Sequence, residues 1–529
     1  VKGGLKMKFV LNDDPIDKIE VDTIIFPFWE GDKTLSPNLK IIDERLNKTI
    51  SSLIERGYLT GEFKEIKLLY TLGRIKAEKV LIVGMGKKNE ITLERLRIIA
   101  ASVIKYLYER GGVKIIAIGE ESIENLDFKE QIVAWIEGLI LGGYRFEKYR
   151  TSPSKITPLA KIVFVGTQQL LPILQEGVYK GRILAEATNW ARDLINEPAN
   201  RLTPRVFSMQ AQEIAKKFNL ELTILQEQEL EELGMGAFLA VARGSYEVGR
   251  LIVIKYTAPK PDAWTLGLVG KGVTFDSGGI SIKKGENLYQ MLDDKGGAAV
   301  VLSVIQAVAQ LNIKNINVLG VIPVTENLLS GRSYRPGDIL KSFSGKTIQV
   351  ITTDAEGRLL LADALYYAHK LGAAKLIDIA TLTGGCKTAL GKFVTGIMGN
   401  SPEFLKQLKE AAEEAGERVW ELPLFPEYQK LIESDIADLK NYSGKDATTI
   451  TAAKFLENFV AGKPWIHIDI AGTVITERCP VLLDKGYIPE EGATGVMVRT
   501  LIRLIKKIGE GKVVEEPRVF SPIMVNGDA

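Results

Sequence analysis

The sequence predicts an α/β fold in more than one domain, and three observations carry that prediction. Short apolar runs recur along the whole chain, each about the length of a buried strand. Stretches with helical spacing of apolar residues separate them, the pattern of a largely parallel sheet covered by helices. The length of 529 residues exceeds what one core holds and suggests two or three domains.

In chain order, apolar runs at 23–28, 80–83, 113–118 and 162–165 read as buried strands. Helical patterns lie between them near 42–56, 93–108 and 130–141. Gly84-Met85-Gly86 follows a strand but lacks the third glycine and the acidic partner of a dinucleotide fingerprint, so it reads as a turn. A long helical stretch at 177–195 links a first domain, 1–172, to a second, 173–529. In the second, strands are expected at 251–255, 266–269, 318–324, 348–352, 375–380, 393–398 and 466–470, and an apolar helix at 300–311. The tail after Lys507, with Glu515-Glu516-Pro517 and Ser521-Pro522, reads as an extension or arm.

Composition excludes several classes. The chain is 46% hydrophobic and 25% charged, ordinary for a globular protein. Its 68 basic and 66 acidic residues nearly cancel, so no global field demands nucleic acid or a membrane surface. Two cysteines, Cys386 and Cys479, imply no disulfide framework and point to a reducing compartment. No apolar run reaches the about 18 residues of a membrane-spanning helix. The segment Val1-Lys2-Gly3-Gly4-Leu5-Lys6-Met7 has no signal-peptide core, and Met7 is a candidate native start.

Three segments concentrate chemistry. The first is Asp354-Ala355-Glu356-Gly357-Arg358-Leu359, where an apolar strand gives way to a helix. Ligands of open α/β sheets bind outside the carboxyl ends of strands, so the acids there can grip a cation and the arginine an anion. The second runs from Val269 to Lys283 and holds Lys271, Asp276 and Lys283 among glycines that let backbone approach a ligand closely. The third, Asp293-Asp294-Lys295-Gly296-Gly297, opens the apolar helix. Lys271, Asp276, Asp293 or Asp294, Asp354 and Glu356 together offer enough donors for two divalent metals. Singly each has a plainer reading: Asp294 as a helix N-cap, Asp354 and Glu356 as a cap and a first-turn acid.

Jointly, these segments resemble the leucyl aminopeptidases, the two-metal cytosolic aminopeptidase family. The family signature Asn-Thr-Asp-Ala-Glu-Gly-Arg-Leu appears as Thr352-Thr353-Asp354-Ala355-Glu356-Gly357-Arg358-Leu359, with one departure. Asn196-Glu197-Pro198-Ala199-Asn200, Glu326-Asn327, Arg335-Pro336-Gly337-Asp338, Ala380-Thr381-Leu382-Thr383-Gly384, His467-Ile468-Asp469-Ile470-Ala471-Gly472 and Gly492-Ala493-Thr494-Gly495 follow in family order.

The resemblance implies a small N-terminal α/β domain and a larger catalytic metallopeptidase domain with a mixed twisted sheet sandwiched by helices. It implies hydrolysis of the N-terminal residue, leucine or another apolar one preferred, from peptides with a free N-terminus. Two divalent ions, Mn²⁺ or Zn²⁺, are implied per subunit. Asp276, Asp354 and Glu356, with the Asp354 main-chain carbonyl, would hold one; Lys271, Asp276, Asp294 and Glu356 would hold the other. Asp294 is chosen over Asp293 because the family aspartate is followed by one residue and then Gly-Ala-Ala, a register that Lys295 to Ala299 fits with one glycine to spare. Lys283 is implied as the electrophile, Arg358 as the holder of a bicarbonate base, and Met291, Thr381 and Gly384 as a side-chain pocket. A cytoplasmic homohexamer is implied; the balanced charge speaks against membrane or nucleic-acid partners.

Other mechanisms fit the residues worse. The only two histidines, His369 and His467, form no His-Glu-x-x-His and read as structural. No Gly-x-Ser-x-Gly carries a serine nucleophile. Two alternative functions stand beside the aminopeptidase: a DNA-binding regulatory or architectural protein, for which the chain offers no basic tract, and a Cys-Gly dipeptidase. Departures from the family pattern are Thr352 for the signature Asn, Leu329 for a usual Pro, and Asp446-Ala447-Thr448-Thr449 for a Gly-rich loop. None removes an implied ligand, though Thr352 leaves room for a tuned metal site.

Overall fold

A computed structural model describes residues 8–111, 113–119, 123, 125–152, 159–286 and 288–511. The segment Val1–Met7, with its candidate start, and the extension from 512 onward lie outside the described residues.

The N-terminal unit is a six-stranded sheet in the order Lys8–Asn12, Lys161–Val165, Ile115–Gly119, Thr23–Phe28, Lys79–Gly84, Ile66–Tyr70. All neighbours are parallel except the last pair. Successive strand residues point to opposite faces, and the two faces build separate cores. Ile25, Leu81, Val83, Ile116 and Phe164 pack under the helices Leu93–Arg110 and Phe128–Gly142. Ile24, Phe26, Val80, Ile82 and Val163 pack against the helices Pro37–Arg45 and Thr49–Glu55.

The single helix expected over 42–56 is thus two. Asn47 and Lys48 adopt left-handed φ of +56° and +57°, which breaks the helix. Asp43 of the first helix accepts from Ile50 N at 2.8 Å and Ser51 N at 3.2 Å, satisfying the start of the second. Two edge strands, Lys8–Asn12 and Ile66–Tyr70, were not expected; both are half-exposed and their apolar runs are only three residues long.

The linking helix is longer than expected, Leu171–Asn196, and lies close against Phe128–Gly142. At Gly181 an added Cβ would stand 2.9 Å from Ile136 Cβ and Val133 O, so a side chain there would push the two helices apart.

The second unit is built on a mixed nine-stranded sheet. Its order is Val419–Glu421, Thr395–Gly399, Trp465–Asp469, Ala373–Ala380, Thr265–Gly270, Asn317–Asn327, Arg250–Tyr256, Glu221–Leu225. The ninth strand, Gly272–Asp276, continues from Thr265–Gly270 and pairs in parallel with the far end of Asn317–Asn327. One face packs on Leu171–Asn196, Pro204–Phe218, Gly296–Leu311, Pro402–Ala415 and Val498–Gly509. The other packs on Gly236–Ala242, Gly357–Lys370 and Thr448–Glu457. This is the sandwich that the sequence resemblance implied.

Glu221–Leu225, Gly272–Asp276 and Val419–Glu421 join this sheet unexpected, and of the expected strands 348–352 is the one that does not. Of the run 348–352 only 348–349 is strand, within Thr347–Gln349, and not in the central sheet. It pairs with Ile339–Lys341 and Leu439–Lys440 in a separate three-stranded sheet. Val350 N donates to Asp338 O at 2.9 Å, and Asn441 Oδ1 accepts from Ile351 N at 2.8 Å, so the backbone bonds to loops instead of a strand.

Candidate metal centre

The site gathers at the carboxyl ends of central strands. Thr265–Gly270 delivers Lys271, and Gly272–Asp276 delivers Asp276. Asn317–Asn327 ends on Asn327, and Thr381 follows Ala373–Ala380. Asp354 and Glu356 reach the same place from the loop before Gly357–Lys370. The approach is tight. At Gly297 an added Cβ would stand 2.0 Å from Ile379 O, and at Gly357 one would stand 2.6 Å from Lys271 Cε.

Asp276, Asp294 and Glu356 are all buried, and one oxygen of each lies within 4.8 Å of the others. Lys271 sits among them. Its Nζ is 2.7 Å from Asp294 Oδ1, 2.8 Å from Glu356 Oε1 and 3.0 Å from Thr381 O. Lys283 Nζ is 2.8 Å from Asp276 Oδ2 and also pairs with Asp354 Oδ1. Six of the expected groups therefore meet in one place. The cluster is sided: the Lys283 and Asp354 side chains are 24% and 38% exposed, whereas those of Lys271, Asp294 and Glu356 are 3%, 7% and 2% exposed.

Asp294 does not cap the helix Gly296–Leu311, which has no side-chain cap. It accepts from Thr381 Oγ1 at 2.7 Å, and its Oδ2 is buried without a hydrogen-bond partner among the described residues. Met291 lies three residues before it on the same 3₁₀ segment and is half-buried. Gly384 opens the helix Gly384–Leu390, with open space where a Cβ would stand. Arg358 is buried; Nη1 donates to Asn441 O at 2.9 Å, and Nε has no partner among the described residues. Burial pushes that guanidinium down to about 10.

The electrostatics are those of crowded buried acids. Burial and neighbouring Glu356 raise Asp276, and burial raises Asp294 well above the usual carboxylate range. Asp354 is pushed up to about 6 by burial, with Lys283 opposing. Burial disfavours the charged forms of Glu356 and Lys271, but their mutual attraction prevails. Glu356 is held low by Lys271 and Lys283, and Lys271 is held high by Asp294 and Glu356.

One residue assigned no role from sequence is central. Asn327 Nδ2 lies 2.8 Å from Asp276 Oδ1, 3.1 Å from Thr353 O and 3.3 Å from Glu356 Oε2. It links the two acids that face each other across the cluster. Its place directly after Glu326 in a family motif was the available signal.

Thr352, the signature departure, keeps the turn. Its Oγ1 accepts from Asp354 N at 3.2 Å, the local bond an Asn side chain makes in an Asx turn. Ala447 stands at φ +48° before Thr448–Glu457, a left-handed position where glycine is less strained. Neither histidine hydrogen-bonds to the cluster: His467 Nδ1 pairs with Asp378 Oδ1 at 2.6 Å inside the sheet, and the His369 ring lies 5.7 Å from that of Tyr366.

The donor set suits divalent cations. Buried carboxylates converge, an amine stands among them, and Asp294 Oδ2 lacks any partner. Among the described residues, no helix is long and apolar enough to cross a membrane.

Comparison with known proteins agrees. The family model described as "Cytosol aminopeptidase family, catalytic domain" matches residues 189–502, and that of the family's N-terminal domain matches 25–153. A "Probable cytosol aminopeptidase" of Alkaliphilus oremlandii is 43% identical over 505 residues, covering 95% of this chain and 100% of that protein. The solved structure of a tomato leucine aminopeptidase mutant aligns with a TM-score of 0.83 at 28% identity, covering 96% of this chain and 98% of that one. The bottromycin maturation enzyme BotP in complex with Mn aligns with a TM-score of 0.81 at 31% identity, covering 92% of this chain and 100% of that one. The chain belongs to the cytosol aminopeptidase family, and it is a metal-dependent hydrolase that acts on the N-terminal end of peptides.

Proposed function

We propose that this enzyme releases N-terminal leucine and other apolar residues, using the cluster around Lys271 as a two-metal centre. The observation that carries the reading is the sided convergence of Lys271, Asp276, Asp294, Asp354 and Glu356, with Lys283 at the solvent edge. Asp276, Asp354 and Glu356, with the Asp354 carbonyl, would hold one ion; Lys271, Asp276, Asp294 and Glu356 would hold the other. Two divalent cations, Mn²⁺ or Zn²⁺, would supply a polarised carbonyl and an activated water when bound.

The chain's own groups do the rest. Lys283 remains an ammonium and meets the oxyanion that develops on the scissile carbonyl. Lys271 would give up its proton to solvent and offer its amine as a ligand. The partnerless Asp294 Oδ2 receives the substrate's free α-amine, which restricts cleavage to the chain end. Arg358, whose Nε has no partner among the described residues, would hold a bicarbonate, which would supply a base. Met291, Thr381 and Gly384 border the pocket for the N-terminal side chain. We further read residues 1–172 and 173–529 as the two domains and the enzyme as a cytoplasmic homohexamer.

The test is a comparison of leucine anilide with its N-acetyl form. The free amine is expected to be turned over and the acetylated one not. Comparable rates would remove the amine from the reading.

A further inference from the structure

The cluster leaves unused a heavily charged interior where helices of the two units meet. Arg97 on Leu93–Arg110 is fully buried, and its Nε donates to Glu137 Oε2 at 2.6 Å. Arg499 and Arg503 of Val498–Gly509 approach Glu137 at 3.6 and 3.4 Å. Lys485 lies 2.8 Å from Glu94, and Arg499 Nη2 lies 3.5 Å from Glu417.

This network is over-supplied with cations. Arg192 stands in it with no carboxylate as a hydrogen-bond partner. It donates to Thr494 O, Tyr487 O and Asn189 Oδ1 at 2.9 Å and to Leu141 O at 3.3 Å. Burial without a paired anion pushes it down to about 10. Among the described residues, Arg97 Nη2, Arg499 Nε and Nη1, and Arg503 Nε are buried with no hydrogen-bond partner. Each of these orphans is a donor, so what the network lacks is an acceptor.

A cavity of about 40 Å³ opens here, lined by Arg192, Lys392, Arg418, Lys485 and Arg499, with Glu417 as its one carboxylate. Glu417 is already engaged by Thr500 N at 3.2 Å and Thr500 Oγ1 at 2.5 Å. A water takes roughly 10–15 Å³ of such space, so the cavity holds about three waters or one small anion. Arg499 is only 2% exposed, so an acceptor there works in a poorly screened setting.

We propose that this cavity binds a small tetrahedral oxyanion, phosphate or sulfate, at the junction of the two units. Arg499 supplies the buried donors, Arg418 and Lys392, which here pairs with Glu477 Oε2 at 2.5 Å, close over the ion from the surface, and Arg192 supplies field. The bound ion ties the linking helix, the end of Pro402–Ala415 and the helix Val498–Gly509 together. Through Lys485 and Tyr487, whose hydroxyl donates to Glu94 Oε1 at 2.7 Å, it also reaches the N-terminal unit.

The experiment is calorimetric titration of inorganic phosphate into the whole enzyme, with ionic strength held constant by chloride. One phosphate per chain is expected, displaced by sulfate and not by acetate. Arg418→Gln with Lys392→Gln should weaken binding about tenfold or more and leave the fold unchanged by circular dichroism. Arg358→Ala separates this site from the metal centre and should leave phosphate binding as it was. The proposal is overturned if phosphate gives no saturable heat beyond chloride, if the double variant binds it unchanged, or if binding vanishes in Arg358→Ala.

Discussion

Replacing Asn327 by leucine should cost the enzyme its metal and spare its fold. Asn327 Nδ2 reaches Asp276 Oδ1 at 2.8 Å and Glu356 Oε2 at 3.3 Å, the two acids proposed to bridge the ions. A hydrogen bond to a charged group is worth roughly 1.5–3 kcal/mol, and each ~1.4 kcal/mol is tenfold in affinity. Losing the bond to Asp276 alone therefore predicts a drop in metal affinity of about 10–100-fold, the usual range for groups that orient ligands. The loop is not lost with it, because Tyr334 Oη independently donates to Thr353 O at 2.8 Å. Asp276 Oδ1 keeps a donor in Gly278 N at 2.9 Å, and Asn327 Oδ1 has no partner among the described residues that its loss would strand. Competition with a chromogenic chelator gives the metal affinity, and thermal unfolding of the metal-free protein gives the fold. Affinity within twofold of the parent, or a loss explained by unfolding of the metal-free variant, would refute the reasoning.

Three further outcomes follow from the same geometry. Lys283→Ala should keep two metals while kcat falls by roughly 10²–10³, whereas Lys271→Ala should weaken one metal site and recover part of its rate in excess metal; elemental analysis beside kcat decides. Lys271 is held protonated by Asp294 and Glu356, so loading the metals at pH 7 should release at least one proton per chain and affinity should rise with pH; titration in buffers of different ionisation enthalpy reads this, and zero release would contradict the ligand role. Ala447→Gly should be neutral or stabilising by up to about 1 kcal/mol and Ala447→Val destabilising by about 1–2 kcal/mol, because φ is +48° there; denaturant midpoints show the contrast, and equal effects would refute it.

The sequence made the acids of the centre legible because they lie in short glycine-marked motifs. The buried strands were legible because both faces are covered, so they read as continuous apolar runs. Asn327 was not legible as a site residue: an amide is chemically ordinary until the fold sets it beside Asp276. The split at Asn47 and Lys48 was missed because the apolar spacing continues across it while only two backbone angles change sign. The strand 348–352 misled because Ile348 and Val350 pack in a core without joining the central sheet. The Arg97–Glu137–Arg503 network was invisible because Glu137 stands 40 residues from Arg97 and 366 from Arg503, and each alone looks like an ordinary helix charge.

The most direct measurement of the central claim is metal stoichiometry against activity. The enzyme is stripped with a chelator, and Mn²⁺ is titrated back while leucine-anilide hydrolysis is followed. The account predicts no turnover without metal and recovery that saturates at about two ions per chain, with Asp276→Asn binding fewer ions and staying inactive. Full activity in the stripped protein, or unchanged recovery in Asp276→Asn, would contradict it.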